Sequence, residues 1–508
     1  MSTREPRPEA GVHLLVSFTG NELTVIRAAR IANVRRTLLR EPLLTQWTWE
    51  RFSRPMSELA LAVLDEKGAV LDSFGWSPLG QSFFDTAGPE GQGMLVGASG
   101  PARQSLRVMR IPLRPGAAFL LFYLSNLAFA SPGSFTQRPL ALYGLANPFS
   151  PFPPGTPPGF PVPRPKPIPP IPLPWVTPDP RRFVKPALKR PELFEYWGNK
   201  GYIVDVQTLV NNGDPAHRFD IVILGDGFGE SELGMFDSRA QAISNGLLST
   251  PPFSALAAWI NVHVVRTVSV DSGVDDCPIP GQLRSTYYNV KGDFHATGYP
   301  GFFGTPTPER AWHAAEMITP LENVDLLLML ANVNYEGGSA FPGQEMAFVS
   351  QWSTDAQTAR IAAHECCHVI AGTCEEYISC NPNDPLVTYP NQATEAQGSA
   401  NTVWWSSLAT AAEWSASGFN AVHRLGDLFD GSGNPVMPTG LQGMLGLYWG
   451  CQDIDPALPG GPGCDPYRDS RGAGFYRPTG RCRMRRSGDP FCRVCSQLMT
   501  DIITAAAT

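Results

Sequence analysis

The chain has 508 residues, of which 43% are hydrophobic, enough for two or three domains with sizeable cores. Its formal net charge of −7 gives no basic field that would attract phosphates, so nucleic acid is not an expected partner. No apolar run approaches the roughly 20 residues that span a bilayer. Residues 1–10 are polar and interrupted by proline, so we expect neither a membrane span nor a signal peptide.

Residues 1–146 have the pattern of short strands separated by turns. Residues 59–64 and 69–71 flank a turn-forming segment at 65–68, which predicts a β-hairpin, and further apolar runs of strand length follow. The region contains no cluster of histidine, cysteine and acidic residues that would suggest chemistry. We therefore predict a small all-β sandwich domain with a packing or binding role.

Proline dominates residues 147–190. A segment of this composition forms extended polyproline rather than a packed core, so it predicts a semi-rigid linker between two domains. Its Pro-x-x-Pro patterns leave a ligand for proline-binding domains as the alternative.

Residues 191–508 change to alternating strand and helix patterns. Buried-strand runs are predicted at 220–224, 260–270 and 324–330, with a helix at 308–318 between the last two. This alternation is typical of a layered α/β domain.

Two local patterns bear on what this domain binds. The glycines of residues 225–229 lack the Gly-x-Gly-x-x-Gly spacing of a dinucleotide site and are better explained by a tight strand-to-helix turn. A further strand is predicted at 346–350. If that strand forms the edge of the sheet over the active-site cleft, it can pair with an extended peptide, which makes a polypeptide the natural substrate.

One His-Glu-x-x-His motif follows, at His364, Glu365 and His368, inside a helical stretch that ends at Gly372. Residues four apart lie one turn above each other, so both imidazoles reach one ion from the same helix face. Glu365 then lies beside the ion, where it can take a proton from a metal-activated water. The motif predicts a zinc hydrolase, and its alternative is a pair of buried core histidines.

A catalytic zinc needs a third protein ligand, and Cys374, Glu375 and Glu376 are the candidates. In metzincins a glycine ends the helix and a residue three positions later meets the metal. Counted from Gly372, that residue is Glu375, which we favour. Counted from His364, the offset falls on Cys374, while Glu376 is alternatively a carboxylate that orients a histidine.

All ten cysteines lie from Cys277 onward, in the part that carries the zinc motif. This distribution predicts disulfides in the catalytic half. Free thiols are one alternative. A second metal site is another, since Cys482, Cys492 and Cys495 include one Cys-x-x-Cys, but the second pair that a structural zinc would want is missing.

Acidic loops at 271–276 and 453–469 are candidate calcium sites. Ordinary solvated loops are the alternative explanation for both.

Several segments of the second half form a joint pattern: residues 220–227, 252–254, 272–276, 335–338, 364–368, 375–377, 476–478, 482–484 and 491–495. Together they resemble the bacterial immunoglobulin A peptidase family of zinc metalloendopeptidases, over about residues 219–503. The resemblance implies a metzincin-like zinc protease fold preceded by a β-domain. It also implies a secreted or cell-surface protein, in keeping with the cysteines.

The resemblance further implies roles for single residues. Met484 matches the methionine turn under the metal, and Tyr476 matches a donor to the reacting carbonyl; core filling and loop anchoring are their ordinary alternatives. The chain departs from the family pattern at Cys367, where relatives have glycine, and at Glu375, where they have aspartate. These differences bear on the substrate, so immunoglobulin cleavage is not carried over from the family.

These observations predict a zinc-dependent endopeptidase in which His364, His368 and Glu375 hold the ion and Glu365 is the general base. The alternative is a catalytically inactive protease-like protein with a binding or adhesion role. A thiol redox protein that uses Cys492 and Cys495 is a weaker alternative, because no thioredoxin-like pattern surrounds them.

Overall fold

A computed structural model describes residues 10–19, 22–31, 57–67, 69–76, 81–87, 95–101, 105–126, 137–145, 147–151, 200–294, 300–351, 354–376, 389–394, 403–413, 443–449, 475–485 and 487–507. They fall into two compact units. One lies within residues 1–80, 102–185 and 315–324, and the other within 81–101, 186–314 and 325–508. The proline-rich segment from residue 152 onward lies outside the described residues.

Ten strands come first in the chain: β1 (Gly11–Thr19), β2 (Glu22–Ile31), β3 (Ser57–Asp65), β4 (Val70–Trp76), β5 (Gln81–Ala87), β6 (Leu95–Pro101), β7 (Ser105–Pro112), β8 (Ala117–Asn126), β9 (Gln137–Gly144) and β10 (Asn147–Pro151). Eight of them form two sheets of the first unit, ordered β2-β1-β7 and β10-β9-β8-β3-β4. The predicted hairpin is confirmed, since β3 pairs antiparallel with β4. Its turn is closed by Asp65 Oδ1, which accepts hydrogen bonds from the backbone N–H groups of Lys67 and Ala69, both at 2.8 Å.

The two sheets of this unit share one hydrophobic core. Alternate residues of β1, β3 and β8 enter it, among them Leu14, Leu61 and Phe122, none of which has any exposed surface. This period of two is what a strand with one buried face requires. Tyr143 adds a link between the sheets, because its hydroxyl donates to the carbonyl of Leu23 at 2.7 Å.

The rest of the chain contains nine strands and four helices within the described residues: β11 (Gly201–Val210), β12 (Phe219–Asp226), α1 (Leu233–Ser249), β13 (Ile260–Ser269), α2 (Pro308–Glu316), β14 (Val324–Ala331), β15 (Gly338–Phe341), β16 (Met346–Ser350), α3 (Asp355–Ala371), β17 (Ala393–Thr394), β18 (Tyr448–Trp449), β19 (Phe475–Arg477) and α4 (Arg493–Ala507). The strands predicted at 220–224, 260–270, 324–330 and 346–350 are confirmed. None of the described helices combines the length and the apolar character needed to cross a membrane.

The second unit is built on a mixed eight-stranded sheet with the order β11-β13-β12-β14-β16-β15-β5-β6. β12 runs parallel to β13, and β14 runs parallel to β16. Every residue of β12 and β14 is buried, as expected for central strands covered on both faces. The hairpin of β5 and β6 lies within residues 1–146, yet β5 pairs antiparallel with β15, so this hairpin extends the sheet of the second unit.

The strand at 346–350 does not meet the condition set for pairing with a peptide, because it does not lie at the sheet edge. β16 is an interior strand, paired with β14 on one side and with β15 on the other. The four-residue β15 was not recognised, because Gly-Ser-Ala-Phe has neither the length nor the composition of a typical strand. Its other side is paired with β5.

Helix α3 carries the His-Glu-x-x-His motif and is defined by strong local end signals. The hydroxyl of Thr354 accepts a hydrogen bond from the N–H of Gln357 at its start. As predicted, the helix ends at Gly372, which adopts a left-handed conformation with φ of 60°. Gly246 of α1 lets the two helices approach closely, since a Cβ there would lie 2.4 Å from the Cβ of Ala359. α3 also packs against α4.

Candidate functional site

Helix α3 brings His364 and His368 together as the motif spacing predicts. The two ring centroids are 4.8 Å apart, and the Nε2 atoms are 3.1 Å apart. Both side chains are fully buried.

Backbone carbonyls fix the orientation of both rings. His364 Nδ1 lies 2.9 Å from the carbonyl oxygen of Arg483, and His368 Nδ1 lies 2.8 Å from that of Thr373. A carbonyl only accepts, so Nδ1 is the ring nitrogen that donates in each histidine, and Nε2 is left as the atom available to a metal. This is the arrangement that orients metal-ligating histidines.

Glu375 completes the group. After Gly372 the chain turns back, and the carboxylate reaches both rings: Oε1 is 2.8 Å from His368 Nε2, and Oε2 is 3.3 Å from His364 Nε2. His364, His368 and Glu375 thus place one ligand atom each within 4.8 Å of one another. Of the three candidates at 374–376, Glu375 is the one that the structure brings to the imidazoles.

The chemistry and the spacing of these atoms fit a metal ion. Two imidazole nitrogens and a carboxylate converge in a buried space. Their electron pairs repel one another, and a bound cation would replace this repulsion with attraction to each ligand atom. A tetrahedral zinc with Zn–N distances of about 2.0–2.1 Å separates two nitrogen ligands by about 3.3 Å. The distances between the ligand atoms here, 2.8–3.3 Å, are close to that value.

Cys374 and Glu376 point elsewhere. The thiol of Cys374 donates to the carbonyl of Glu375 at 3.2 Å, and its backbone N–H donates to Asn391 Oδ1 at 2.9 Å. Glu376 is fully buried beside cysteine side chains, and burial raises the pKa of its carboxyl well above the ordinary value. The idea that Glu376 orients a histidine is therefore wrong, because carbonyl groups fill that role.

Glu365 is fully buried on α3, next in the chain to His364, a member of the group formed with His368 and Glu375. The wall opposite its carboxylate is Gly338 of β15. A Cβ at this position would lie 2.3 Å from Glu365 Oε1 and 2.6 Å from Ile361 Cγ2, so only glycine leaves the carboxylate its place. The pattern at 335–338 was noted as a family resemblance, but the sequence carried no signal that its last glycine borders Glu365.

A tight turn at residues 482–485 contacts both parts of the site. The N–H of Arg485 donates to the carbonyl of Cys482 at 3.0 Å, which closes the turn. The carbonyl of Arg483 holds His364, and the carbonyl of Met484 accepts from the N–H of Glu376 at 2.9 Å. Met484 itself is fully buried, and its role as a methionine turn stays a prediction.

Asn391 braces the loop that carries Glu375, and sequence analysis missed it. Its side-chain amide donates to the carbonyl of Cys374 at 2.8 Å and accepts from the N–H of the same residue. It therefore holds the backbone of Cys374 on both sides. The next strand residue, Ala393 of β17, pairs with Tyr476 of β19. Tyr476 is fully buried in this small sheet.

The expected disulfides are not found among the seven described cysteines, all of which are buried: Cys277, Cys366, Cys367, Cys374, Cys482, Cys492 and Cys495. The Sγ atoms of Cys482 and Cys495 are 3.8 Å apart, far beyond the S–S bond length of about 2.05 Å. The remaining three cysteines lie outside the described residues.

The carboxylates of the acidic loop at 271–276 accept hydrogen bonds from backbone N–H groups of the segment at 281–285. Asp271 accepts from the N–H of Ser285 at 2.7 Å, and Asp276 accepts from that of Gly281 at 2.8 Å. None of these aspartates belongs to a metal-type group of described residues. The loop at 453–469 lies outside the described residues.

Two imidazoles and a carboxylate on a glycine-ended helix, with a second acid beside them, define a site of the metallopeptidase type. The particular family follows from comparison with known families: residues 207–415 match the IgA Peptidase M64 family, which confirms the resemblance carried by the motifs. The matched segment contains His364, Glu365, His368 and Glu375. No curated protein matches the chain.

Proposed function

We propose that the protein is a zinc-dependent endopeptidase. His364 and His368 from α3 and Glu375 from the following loop would hold the ion. The observation that carries this proposal is the convergence of both Nε2 atoms with the Glu375 carboxylate, at 2.8 and 3.3 Å, while both Nδ1 atoms face carbonyls.

Zinc, when bound, supplies a Lewis acid that polarises the substrate carbonyl and lowers the pKa of water to about 7. Glu365 takes the proton of the attacking water on its carboxylate and then delivers it to the nitrogen of the scissile bond. The C–O bond forms first and the C–N bond breaks after its nitrogen has been protonated, so one peptide bond and one water yield a carboxylate and an amine. Gly338 has no side chain, so the Glu365 carboxylate can lie against it in this position.

We further propose a metzincin-like arrangement of the site. The helix that ends at a glycine and the carboxylate three residues after Gly372 support it, as does the turn with Met484, whose carbonyls contact His364 and Glu376. The two antiparallel sheets around Leu14, Leu61 and Phe122 support a β-sandwich as the N-terminal domain. We also propose that the protein acts outside the cell, on the basis of the family resemblance.

Replacement of the general base tests the function. In Glu365→Gln the ligands are intact, so the metal content should equal that of the wild type while hydrolysis of casein falls by roughly 10²–10⁴-fold. Glu230→Gln, at an exposed position, is the matched control and should keep both properties. Wild-type hydrolysis by Glu365→Gln would remove Glu365 from its assigned role, and a wild-type chain that binds metal but cleaves nothing would favour a binding protein.

A further inference from the structure

A second group of ligand-type side chains lies on the other side of the Glu375 loop. Glu376, Cys482, Cys492 and Cys495 each place one ligand atom within 4.8 Å of the others. All four are buried, with at most 6% of the side chain of Cys492 exposed. Cys482 begins the turn under α3, while Cys492 and Cys495 stand at the start of α4. Three separate parts of the chain therefore meet at this group.

The measured separations match the edges of a zinc tetrahedron. A Zn–S distance of about 2.3 Å places two thiolate sulfurs about 3.8 Å apart, and a sulfur and a carboxylate oxygen about 3.5 Å apart. The Sγ atoms of Cys482 and Cys495 are 3.8 Å apart. Glu376 Oε1 lies 3.7 Å from the Sγ of Cys492 and 3.3 Å from that of Cys495.

Backbone donors surround the sulfurs in a way that suits thiolates. The N–H of Cys492 donates to the Sγ of Cys482 at 3.3 Å, and the N–H of Cys495 donates to the Sγ of Cys492 at 3.4 Å. The second of these bonds lies at the positive end of the 15-residue helix α4, which also favours negative sulfur.

Two buried guanidinium groups offset the charge of such a site. Three thiolates and one carboxylate around a divalent ion carry a net charge of −2. Arg477 acts electrostatically on Glu376, and Arg483 acts on Cys482. Both arginines are buried, and so are their partners Glu376 and Cys482. A buried anionic centre with this compensation is physically reasonable.

We propose that Cys482, Cys492, Cys495 and Glu376 form a second zinc site with four protein ligands and a structural role. Zinc binding displaces the protons of the three thiols and of the Glu376 carboxyl to solvent, and no oxidation or reduction takes place. Since all four positions are filled by the protein, the ion has no open position for water or substrate. Three of the four ligands lie outside the segment that matches the peptidase family.

An ion in the second site would hold the loop that carries Glu375 and so fix the geometry of the catalytic centre. Glu375 faces the histidines and its neighbour Glu376 faces the cysteines, so an ion at each side clamps one short loop. Cys482 likewise precedes Arg483, whose carbonyl orients His364 at 2.9 Å. The second ion thus acts as a positioning element for the first.

Metal analysis of the full chain, purified without added metal, tests the proposal. We expect two zinc ions per wild-type chain, one in His364→Ala/His368→Ala and one in Cys492→Ser/Cys495→Ser. The buried thiol of Cys277 provides the matched control, and Cys277→Ser should keep two. A wild-type chain with a single zinc, lost only in the histidine variant, would overturn the proposal, as would a disulfide detected by mass spectrometry between Cys482 and Cys495.

Cobalt gives a second measurement that does not require the cysteine variant to fold. Loaded with cobalt, His364→Ala/His368→Ala retains only the thiol site, so it should show the sulfur-to-cobalt charge-transfer absorption of a thiolate complex. Absence of this band overturns the proposal.

The identity of the fourth ligand is tested separately. Cys367 on α3 also interacts with Cys495, so it competes with Glu376 for that place. We expect Glu376→Gln to weaken retention of the second zinc, and Cys367→Ser to keep it. The opposite result would exclude Glu376 as the ligand.

Discussion

The two buried groups on either side of the Glu375 loop differ in their donor atoms and in their neighbours. The histidine group offers two nitrogens and a carboxylate, and a further acid, Glu365, stands beside it. The cysteine group offers three sulfurs and a carboxylate, all supplied by the protein. Three ligands with a neighbouring base suit catalysis, whereas four ligands suit structure. In the two proposed sites, the adjacent glutamates of one loop would therefore bind different ions, which their order in the chain does not reveal.

Removal of one imidazole should have the largest effect on the difference between the two groups. His368→Ala deletes a ligand of the first group and should abolish both hydrolysis and one equivalent of zinc, while the cysteine group keeps its ion. His217→Ala, at an exposed position, is the control. Metal content and casein hydrolysis, measured on the same preparations, check the result. Loss of both ions would show that the two sites are not independent.

Gly338→Ala should impair the general base Glu365 without affecting the metal ligands. The added Cβ would lie 2.3 Å from Glu365 Oε1, so the carboxylate must move. A displacement of about 1 Å at a catalytic group costs roughly 100-fold in rate. We expect a loss of that order in kcat/KM with unchanged zinc content.

Gly234 provides the control for this variant, since a Cβ there meets nothing within 4 Å. Gly234→Ala should keep full activity. Equal activity of Gly338→Ala and the wild type would show that Glu365 tolerates a different position.

Asn391→Ala should affect both groups, because this side chain braces the loop they share. It holds the peptide of Cys374 and also donates to Glu376 Oε1 at 3.3 Å. Loss of an outer-shell partner typically weakens metal affinity by about 10–100-fold. Competition with a chelator measures the affinity. Asn245→Ala, on the exposed face of α1, should leave it unchanged.

Thr354→Ala should have the smallest effect, because it lowers stability without touching either group of ligands. Loss of the N-cap of α3 should lower the free energy of unfolding by about 1 kcal/mol. Denaturant unfolding measures this change. Zinc content should stay at the wild-type value, because the cap lies at the end of α3 opposite to His368.

Local signals explain why the histidine group was predictable. The spacing of His364 and His368 sets their common face, and Gly372 ends the helix so that Glu375 falls into reach. All of this is encoded within a dozen residues.

The remainder depends on contacts between distant segments. Glu376 is 116 residues from Cys492, so the proposed fourth ligand could not be recognised from cysteine spacing. The position of residues 346–350 within the sheet depends on distant segments too, because β15 covers one side of β16 and β5, from far upstream, pairs with β15. Gly338 borders Glu365 only because β15 lies against α3.

Stepwise removal of zinc with a chelator, followed by readdition, tests the central claim most directly. The three-ligand histidine group should lose its ion first, so casein hydrolysis should disappear with the first equivalent removed and return when one equivalent is restored. Glu365→Gln, treated in parallel, should regain the ion but not the activity. Hydrolysis that persists after all metal has been removed would contradict the account.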